Sequence, residues 1–394
     1  MSNSTDFFQE EKKAITYLSF VYGLRMLALF LVMPVISYDF QVKGYDNSGM
    51  YAGFVIGAYG LSQAIFQIPF GILSDKVGRK KVIIFGLLLF SLGSFLAAFS
   101  NDAAELIVAR LIQGLGAVSA VVTAFLADLT RPFVRTKAMA FIGLAIAGSF
   151  IFSLVFAPLL YINVGLDGLF SIVGCLGILA ILCVTRLSEK GKFASITSYK
   201  DSSSWRNNKQ LHILFFSSFC LMLTQTSMFI VIPLSLISLG FSISEHWMIY
   251  APVLAFSFIG IIVPIKILTK TGRQKFFFTA SILVIIVAIL IFWGSSNSLL
   301  IIFLSLSMYF LGFNLLEAIL PSWVSRLGPS DNRGFCLGLY NTCQAAGIFV
   351  GGVLGGVIYG KFEFDGIILM CLLLLSVWSF ISFRLRDVKK TNES

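Results

Sequence analysis

The chain has 394 residues, of which 57% are hydrophobic and 12% are charged, and it carries a formal net charge of +10. A soluble domain of this size has about 25% charged residues. The composition therefore excludes a soluble domain and indicates a polytopic membrane protein. The apolar runs last about 20 residues or more and do not alternate with polar residues, which excludes a β-barrel and predicts a bundle of helices.

Twelve apolar runs, separated by charged or Gly- and Pro-containing breaks, follow one another along the chain. We predict membrane spans at 14–38, 49–70, 81–100, 103–129, 137–160, 165–187, 210–236, 245–269, 275–294, 298–326, 334–359 and 364–386. No small-residue cleavage site follows the first run, so we expect it to remain as the first helix instead of being removed as a signal peptide. The predicted class is an all-α integral membrane fold.

Positive charge predicts the orientation of the spans. Of the 29 Lys and Arg residues, 25 fall in the terminal tails and in alternate loops, all on one side of the membrane. The other side has only Lys43 and Lys361, while Arg25 and Arg110 fall within spans. By the positive-inside rule both termini are cytoplasmic. The net charge then follows from topology and attraction to anionic headgroups of the bilayer, so we expect no nucleic-acid partner.

An internal repeat predicts two halves. Segment 75–81 aligns with segment 269–275 at an offset of 194 residues, and both follow the second span of a six-span unit. A polar, Ser-rich stretch lies between the units, where a two-fold arrangement needs its crossover. We therefore predict an N-terminal six-helix half at 1–187, a cytoplasmic linker at 188–209, and a C-terminal half with a short basic tail at 210–394.

The loop after the second span contains Gly71, Asp75, Gly78 and Arg79. Gly78 permits a left-handed backbone, Asp75 can accept hydrogen bonds from a helix N-terminus, and Arg79 can form a forked pair with a carboxylate. The available carboxylate is Asp128, at the cytoplasmic end of the fourth span. We predict that these five residues form a conformational latch. The alternative is a lipid-facing charge cluster that only fixes topology.

Four charged residues lie within spans or at a span end. Arg25 and Glu317 lie about 16 Å and 14 Å from the cytoplasmic face, and Arg110 lies about 10 Å from the outer face. Charges at such depth normally face a cavity or a partner. We hypothesise that Glu317 exchanges the coupling proton and that Arg25 tunes it or binds an anionic group. The alternative is a structural ion pair, or a substrate-binding carboxylate without a proton cycle.

Two further residues are proton-coupling candidates. Arg110 is one because of its depth in the fourth span, and Asp39, at the outer end of the first span, is a weaker candidate for proton entry. The alternative for Asp39 is a solvated charge at a helix end. The following residues are candidates to line a substrate cavity, although each could equally form an interhelical hydrogen bond: Tyr22, Arg25, Gln63, Gln113, Gln225, Asn314, Asn341 and Gln344.

Residue types that carry enzyme chemistry are scarce. All six cysteines lie inside apolar runs without paired spacing, so we expect neither a metal site nor a disulfide. The chain has two histidines and no nucleophile in a suitable context, which argues against an enzyme. We expect no cofactor, with a proton gradient as the driving force.

The loop at 71–80 resembles the signature G-x-L-x-D-x-x-G-R-K of the major facilitator superfamily, and every fixed position is present. Segment 110–117 is similar to a second motif of the family, R-x-x-Q-G-x-G-A. Strings at 24–27, 135–143 and 313–322 look like those of bacterial inner-membrane transporters of this superfamily. The resemblance covers all twelve spans and implies the major facilitator fold, with two pseudo-symmetric six-helix halves in the bacterial inner (plasma) membrane.

In this family the latch is understood to lock the halves when the cavity faces outward and to break during the inward swing. The resemblance also implies a proton-driven exporter. The fifth span departs from the antiporter motif G-x3-G-P-x2-G-G, because its glycines are missing around Pro158, and similar spacing recurs at 347–356 in the eleventh span. The chain stops at Ser394, shortly after the last span, so we expect no soluble domain there.

Three functions remain open from the sequence. We predict a secondary active transporter that exports small hydrophobic or amphipathic molecules by proton-coupled alternating access, acting as a monomer in the bilayer. The second hypothesis is a proton-coupled importer of a nutrient or metabolite, which a polar or charged substrate would favour. The third is a non-transporting membrane sensor, which an intact latch and the lack of a signalling domain disfavour. The sequence does not identify the substrate.

Overall fold

The computed structural model describes residues 7–116, 118–187, 205–294, 298–329 and 333–387, and these residues form helices without any strand. Helices suit a bilayer because they satisfy every backbone hydrogen bond internally. The helices are α1 (Gln9–Val42), α2 (Ser48–Val77), α3 (Arg79–Ala98), α4 (Ala103–Leu115), α5 (Ser119–Leu129), α6 (Pro132–Thr185), α7 (Lys209–Ser238), α8 (His246–Gly260), α9 (Ile262–Thr271), α10 (Gln274–Gly294), α11 (Leu299–Leu327) and α12 (Arg333–Ser382).

Ten stretches of the described chain are long and apolar enough to cross a membrane. Two of them, α6 and α12, contain 54 and 50 residues, which at 1.5 Å per residue is more than twice the roughly 30 Å of a hydrocarbon core. Both are interrupted by non-helical backbone, at Gly165 with φ 67° and at Glu363 with φ 50°. Each is long enough for two crossings, which is consistent with the predicted twelve spans.

The same helix pairing occurs twice. α1 packs along the first part of α6, where Ser149 Oγ donates to the carbonyl of Gly23 at 2.7 Å. α7 packs along the first part of α12, where Ser227 Oγ donates to the carbonyl of Gly351 at 3.0 Å. This correspondence fits the repeat in the sequence. The division into two halves and a linker stays a prediction, and residues 188–204 of that linker lie outside the described residues.

α2 and α12 meet along their predicted outer halves through glycine backbones. A Cβ added at Gly352 would lie against the Gly53 carbonyl and 2.7 Å from the amide nitrogen of Gly57. A Cβ at Gly356 would lie 2.8 Å from the Met50 carbonyl. We call this contact between Gly53 and Gly57 of α2 and Gly352 and Gly356 of α12 the glycine seam. It agrees with the close packing expected from the glycines at 347–356.

The cytoplasmic halves of the same two helices are not packed in this way. A Cβ at Gly71 of α2, or at Gly338 of α12, would have no heavy atom within 4 Å. Backbone contact between α2 and α12 is therefore tight on the predicted outer side, and space remains beside both helices toward the cytoplasm. The glycine seam therefore closes α2 against α12 on the predicted outer side.

Candidate functional site

The predicted latch residues come together at the cytoplasmic ends of α2, α3 and α5. Arg79 Nη2 lies 2.5 Å from Asp75 Oδ1, and Arg79 Nε donates to Asp128 Oδ2 at 3.2 Å. Arg79 Nη1 also donates to Ser74 Oγ at 2.5 Å. One guanidinium thus joins the end of α2 to the end of α5, the geometry for which a forked cation is suited.

The two predicted latch glycines differ in their surroundings. Gly78 has φ 105°, a left-handed backbone that a side chain would strain, and it separates α2 from α3 so that Arg79 can turn back onto Asp75. Gly71 accepts a hydrogen bond from Ser74 Oγ at 2.7 Å through its carbonyl and has open space where a side chain would lie. The structure therefore gives Gly78 a local reason to be glycine and gives Gly71 none in this conformation.

Arg110 is fully buried and connects α4 to its neighbours. Its Nε donates to the carbonyl of Val55 on α2 at 3.3 Å, and its guanidinium carbon lies 4.6 Å from the centre of the Tyr59 ring. Its Nη1 donates to Gln113 Oε1, whose amide nitrogen donates in turn to Ser94 Oγ of α3 at 2.7 Å. Arg110 and Gln113 thus brace three helices of one half, and a proton-coupling or cavity role for them stays a prediction.

Glu317 lies ten residues before the end of α11, about 15 Å along the helix and near the midplane of a bilayer. Gln344 of α12 donates from Nε2 to Glu317 Oε1 at 3.0 Å and to the Tyr340 hydroxyl at 3.0 Å. Glu317, the predicted proton carrier, and Gln344, a predicted cavity residue, are therefore neighbours. Tyr340 was not among the predicted residues, although its spacing of four from Gln344 places both on one helix face.

α1 contributes Tyr22 and Arg25. The Tyr22 hydroxyl lies close enough to both Arg25 and Glu317 to interact electrostatically with each. Arg25 is 2% exposed, and its three guanidinium nitrogens have no hydrogen-bond partner among the described residues. No ion pair joins it to Glu317 there, so the structural ion pair considered from the sequence does not form in this conformation. We call Tyr22, Arg25, Glu317, Tyr340 and Gln344 the central cluster.

A group of phenylalanines on the predicted outer side of Glu317 joins α1, α6, α7 and α11. Phe150 of α6 contacts Phe310 and Phe313 of α11, with ring centres 5.8 Å and 5.9 Å apart. Phe30 of α1 and Phe229 of α7 extend the group, at 4.9 Å from Phe150 and 6.2 Å from Phe310. We call these five residues the aromatic cluster. Sequence reasoning missed them because 40 phenylalanines give no individual signal.

Four remaining polar candidates lie in different places within the bundle. Gln225 accepts from the Tyr309 hydroxyl at 2.8 Å, and Asn314 donates to Ser257 Oγ at 2.8 Å, so both join helices of the C-terminal half. The Gln63 side chain is buried, and its carbonyl oxygen has no partner among the described residues. Asn341 is half-buried on α12, three residues before Gln344. A cavity-lining role for all four stays a prediction.

Asp39 is not a solvated charge at a helix end, which was the alternative considered from the sequence. It is 5% exposed, accepts from the Tyr161 hydroxyl at 2.9 Å and pairs with Lys43 Nζ at 3.0 Å. The correction has a simple cause, because α6 places Tyr161 against the outer end of α1. Within the described residues no three His, Cys, Asp or Glu side chains are grouped to hold a metal.

Three features follow one another from the predicted outer side to the predicted cytoplasmic side: the glycine seam, the charged central cluster and the latch. The latch contacts are formed although the seam is closed, so the breaking of the latch expected for the inward swing has not taken place in this conformation. This fold and site define a helical membrane transporter. The chain matches the family model described as Major Facilitator Superfamily over residues 18–352 and 214–394. The chain belongs to the major facilitator superfamily.

Known proteins resemble the chain over nearly its whole length. It is 35% identical over 395 residues to the inner membrane transport protein YajR of Escherichia coli (strain K12), covering 96% of this chain and 84% of that protein. It is 25% identical over 379 residues to multidrug resistance protein 2 of Bacillus subtilis (strain 168), covering 89% and 92%.

A solved structure supports the fold. It is a bacterial homologue of the human lysosomal transporter Spinster, described as inward-facing and occupied, with a TM-score of 0.77, 12% identity and coverage of 96% and 97%. At this identity the likeness concerns the fold alone.

Proposed function

We propose that this transporter exports small hydrophobic or amphipathic molecules in exchange for protons, by alternating access, in a bacterial inner membrane. The observation that carries the proposal is the position of Glu317 in the central cluster, where side chains of α1 approach those of α11 and α12. The name of its relative YajR, an inner membrane transport protein, supports the proposed location.

Glu317 is suited to coupling because its protonation changes the charge held between the halves. When the carboxyl is deprotonated, its negative charge acts on Tyr22 of α1. We propose that it also attracts Arg25, three residues from Tyr22 on the same helix, whose guanidinium has no hydrogen-bond partner among the described residues. When it is protonated, that attraction weakens and the halves are freer to separate. Intramembrane ionisable residues commonly serve as proton relays in transporters.

The aromatic cluster supports an apolar substrate. Its five rings are buried, span both halves and lie on the outer side of the central cluster. A molecule that enters the centre from the cytoplasmic side would meet charged and hydroxyl groups first and aromatic faces next, which suits an amphipathic compound. The name of the relative from Bacillus subtilis, a multidrug resistance protein, points to the same class of substrate.

The test uses inside-out vesicles that contain the transporter, are energised by respiration and hold a pH-quenched dye. When lipophilic cations or antibiotics are added, they should enter the vesicles in exchange for protons, and the loss of luminal protons should dequench the dye. Glu317→Gln should abolish this dequenching. Glu105→Gln, at the exposed outer start of α4, makes the same chemical change outside the cluster and should retain the signal. Concentrative transport by Glu317→Gln equal to that of the wild type would refute the proposal.

One observation favours a second candidate, an importer of an anionic metabolite. Arg25 is a buried cation without a hydrogen-bond partner among the described residues, and such a group gains much from a carboxylate or phosphate. Uptake of radiolabelled organic acids into right-side-out vesicles, lost in Arg25→Gln, would support this candidate. Absence of uptake in right-side-out vesicles, made from membranes whose inside-out vesicles show drug-dependent dequenching, would exclude it.

A further inference from the structure

One arginine is present in both segments of the internal repeat, but its acidic partners are present in only one of them. Arg273 is the counterpart of Arg79 at the offset of 194 residues, and it follows a glycine with a left-handed backbone, Gly272, as Arg79 follows Gly78. The positions that correspond to the two carboxylates of the latch hold Thr269 and Ser322, which are uncharged.

Arg273 consequently lacks the acids that engage its counterpart. Its side chain is exposed, and no ion pair to it occurs in the described part of the chain. The neighbouring cation is already engaged, because Lys275 Nζ donates to the carbonyl of Phe383 at 2.7 Å and closes the end of α12. The N-terminal half has a similar contact one residue out of register, since Lys80 Nζ donates to the carbonyl of Thr185 at 2.7 Å and the counterpart of Lys275 is Lys81. The two segments therefore differ in their arginine, because Arg79 has acidic partners and Arg273 has none among the described residues.

Arg273 lies at the cytoplasmic end of a groove of about 440 Å³ between α10 and the end of α12. Phe276 and Leu283 line it from α10 and Phe383 lines it from the other wall, and all three side chains are exposed to the surroundings of the protein. Asp387 lies on the same wall, with one carboxylate oxygen accepting from the backbone amide of Lys275 at 2.7 Å.

Phe276 and Leu283 stand seven residues apart on one face of α10, and Arg273 is the residue immediately before that helix begins. Together these three residues form a stripe. Ten residues cover about 15 Å, half of a hydrocarbon core of roughly 30 Å. The groove thus begins with a cation at the cytoplasmic surface and continues with apolar groups across about one leaflet.

The geometry points to a binding site for an anionic phospholipid of the cytoplasmic leaflet, with its phosphodiester on Arg273 and an acyl chain between Phe276, Leu283 and Phe383. The charge and the length of the stripe match the two parts of such a lipid, and basic pockets on the cytoplasmic side of transmembrane helices recognise anionic headgroups. The Asp387 carboxylate faces the headgroup region and disfavours a second negative charge, so a headgroup with one charge fits best.

The test uses the full chain in an uncharged detergent and native mass spectrometry with dioleoyl phosphatidylglycerol, dioleoyl phosphatidylcholine or inorganic phosphate. Phosphatidylglycerol should bind more tightly than phosphatidylcholine, and Arg273→Gln should weaken its binding about fivefold, the contribution of one basic residue at an anionic surface. Arg186→Gln removes the same charge from an exposed position at the end of α6 and should leave binding unchanged.

A second variant tests the broken repeat while retaining the arginine. Thr269→Asp supplies the acid that the N-terminal half has at Asp75, four residues before the arginine, and should weaken phosphatidylglycerol binding by pairing with Arg273. Thr185→Asp adds the same charge at the exposed end of α6 and should not. Equal binding of the two lipids, unchanged binding in Arg273→Gln, or binding of inorganic phosphate as tight as that of phosphatidylglycerol would overturn the inference.

Discussion

Substitution of Gly53 by Ala should open the outer side of the transporter. The new methyl group would lie against the Gly352 carbonyl and 2.9 Å from the Cα of Gly356. Carbon atoms in contact prefer about 3.5 Å, so α2 and α12 must separate by roughly 0.6 Å. Overpacking of this kind costs about 1–3 kcal/mol, and it destabilises only the conformation in which the glycine seam is closed. The balance between conformations should shift about 5- to 150-fold toward outward opening.

Two cysteine reporters measure this shift in a chain whose six native cysteines are replaced. Ile230→Cys lies buried beside the seam, where a Cβ at Gly49 would be 2.9 Å from the Ile230 side chain, and Asn341→Cys lies on the cytoplasmic half of α12. In Gly53→Ala, a membrane-impermeant maleimide applied from outside should label position 230 faster, and one applied from inside should label position 341 more slowly.

The control for this experiment is Gly338→Ala on α12. It adds the same methyl group and gains the same helix propensity, about 1 kcal/mol, but no heavy atom lies within 4 Å of the new group. Its labelling rates should match those of the parent chain. Equal rates in the two alanine variants would refute the reasoning, because the seam would then not decide which side is closed. Faster labelling of both reporters would indicate local loosening instead of alternating access.

Three other predictions concern charged residues. Asp128→Asn should slow vesicle transport up to about fivefold at normal expression, because the part-exposed pair with Arg79 contributes at most about 1 kcal/mol; an unchanged rate would remove the latch from the transport cycle. Arg110→Gln should lower stability by about 1–3 kcal/mol, seen as a reduced Tm in detergent, because it leaves the buried Val55 carbonyl and Gln113 Oε1 without their donor. An unaltered Tm would contradict the bracing role. Glu11→Gln should also lower the Tm, because Glu11 accepts from Arg131 Nε at 3.0 Å and is nearly fully buried, and Glu10→Gln, on an exposed neighbour, should do so less.

The latch could be predicted from the sequence because its chemistry is local and charged. Asp75 and Arg79 are four residues apart at the end of one helix and the start of the next, and Asp128 ends another apolar run on the same side of the membrane. A guanidinium forms its strongest, forked hydrogen bonds with carboxylates, so the acids on the same side of the membrane were its expected partners. The depth of Glu317 in the membrane could also be predicted. The number of residues between Glu317 and Arg326, multiplied by the helical rise of about 1.5 Å per residue, gives its distance from the cytoplasmic face.

The contacts between the halves could not be predicted in the same way. The glycines of α2 recur at 49, 53, 57 and 60, but nothing in that spacing identifies α12 as the helix they face. The contacts within the aromatic cluster could not be predicted either, because apolar side chains occur on every side of a helix in lipid and give no periodic signal. Arg25 and Glu317 were expected as neighbours, whereas their lack of an ion pair depends on the conformation adopted.

The glycine seam also limits how this protein can evolve. In most packed interfaces an enlarged residue on one side can be accommodated by a smaller residue opposite it. Here both sides are already glycine, and the atoms that a new Cβ would meet belong to the backbone, which substitution cannot shorten. A harmful change at Gly53 therefore has no compensating partner at Gly352 or Gly356. Second-site suppressors should arise far from the seam, at residues that favour the outer-closed conformation by other means.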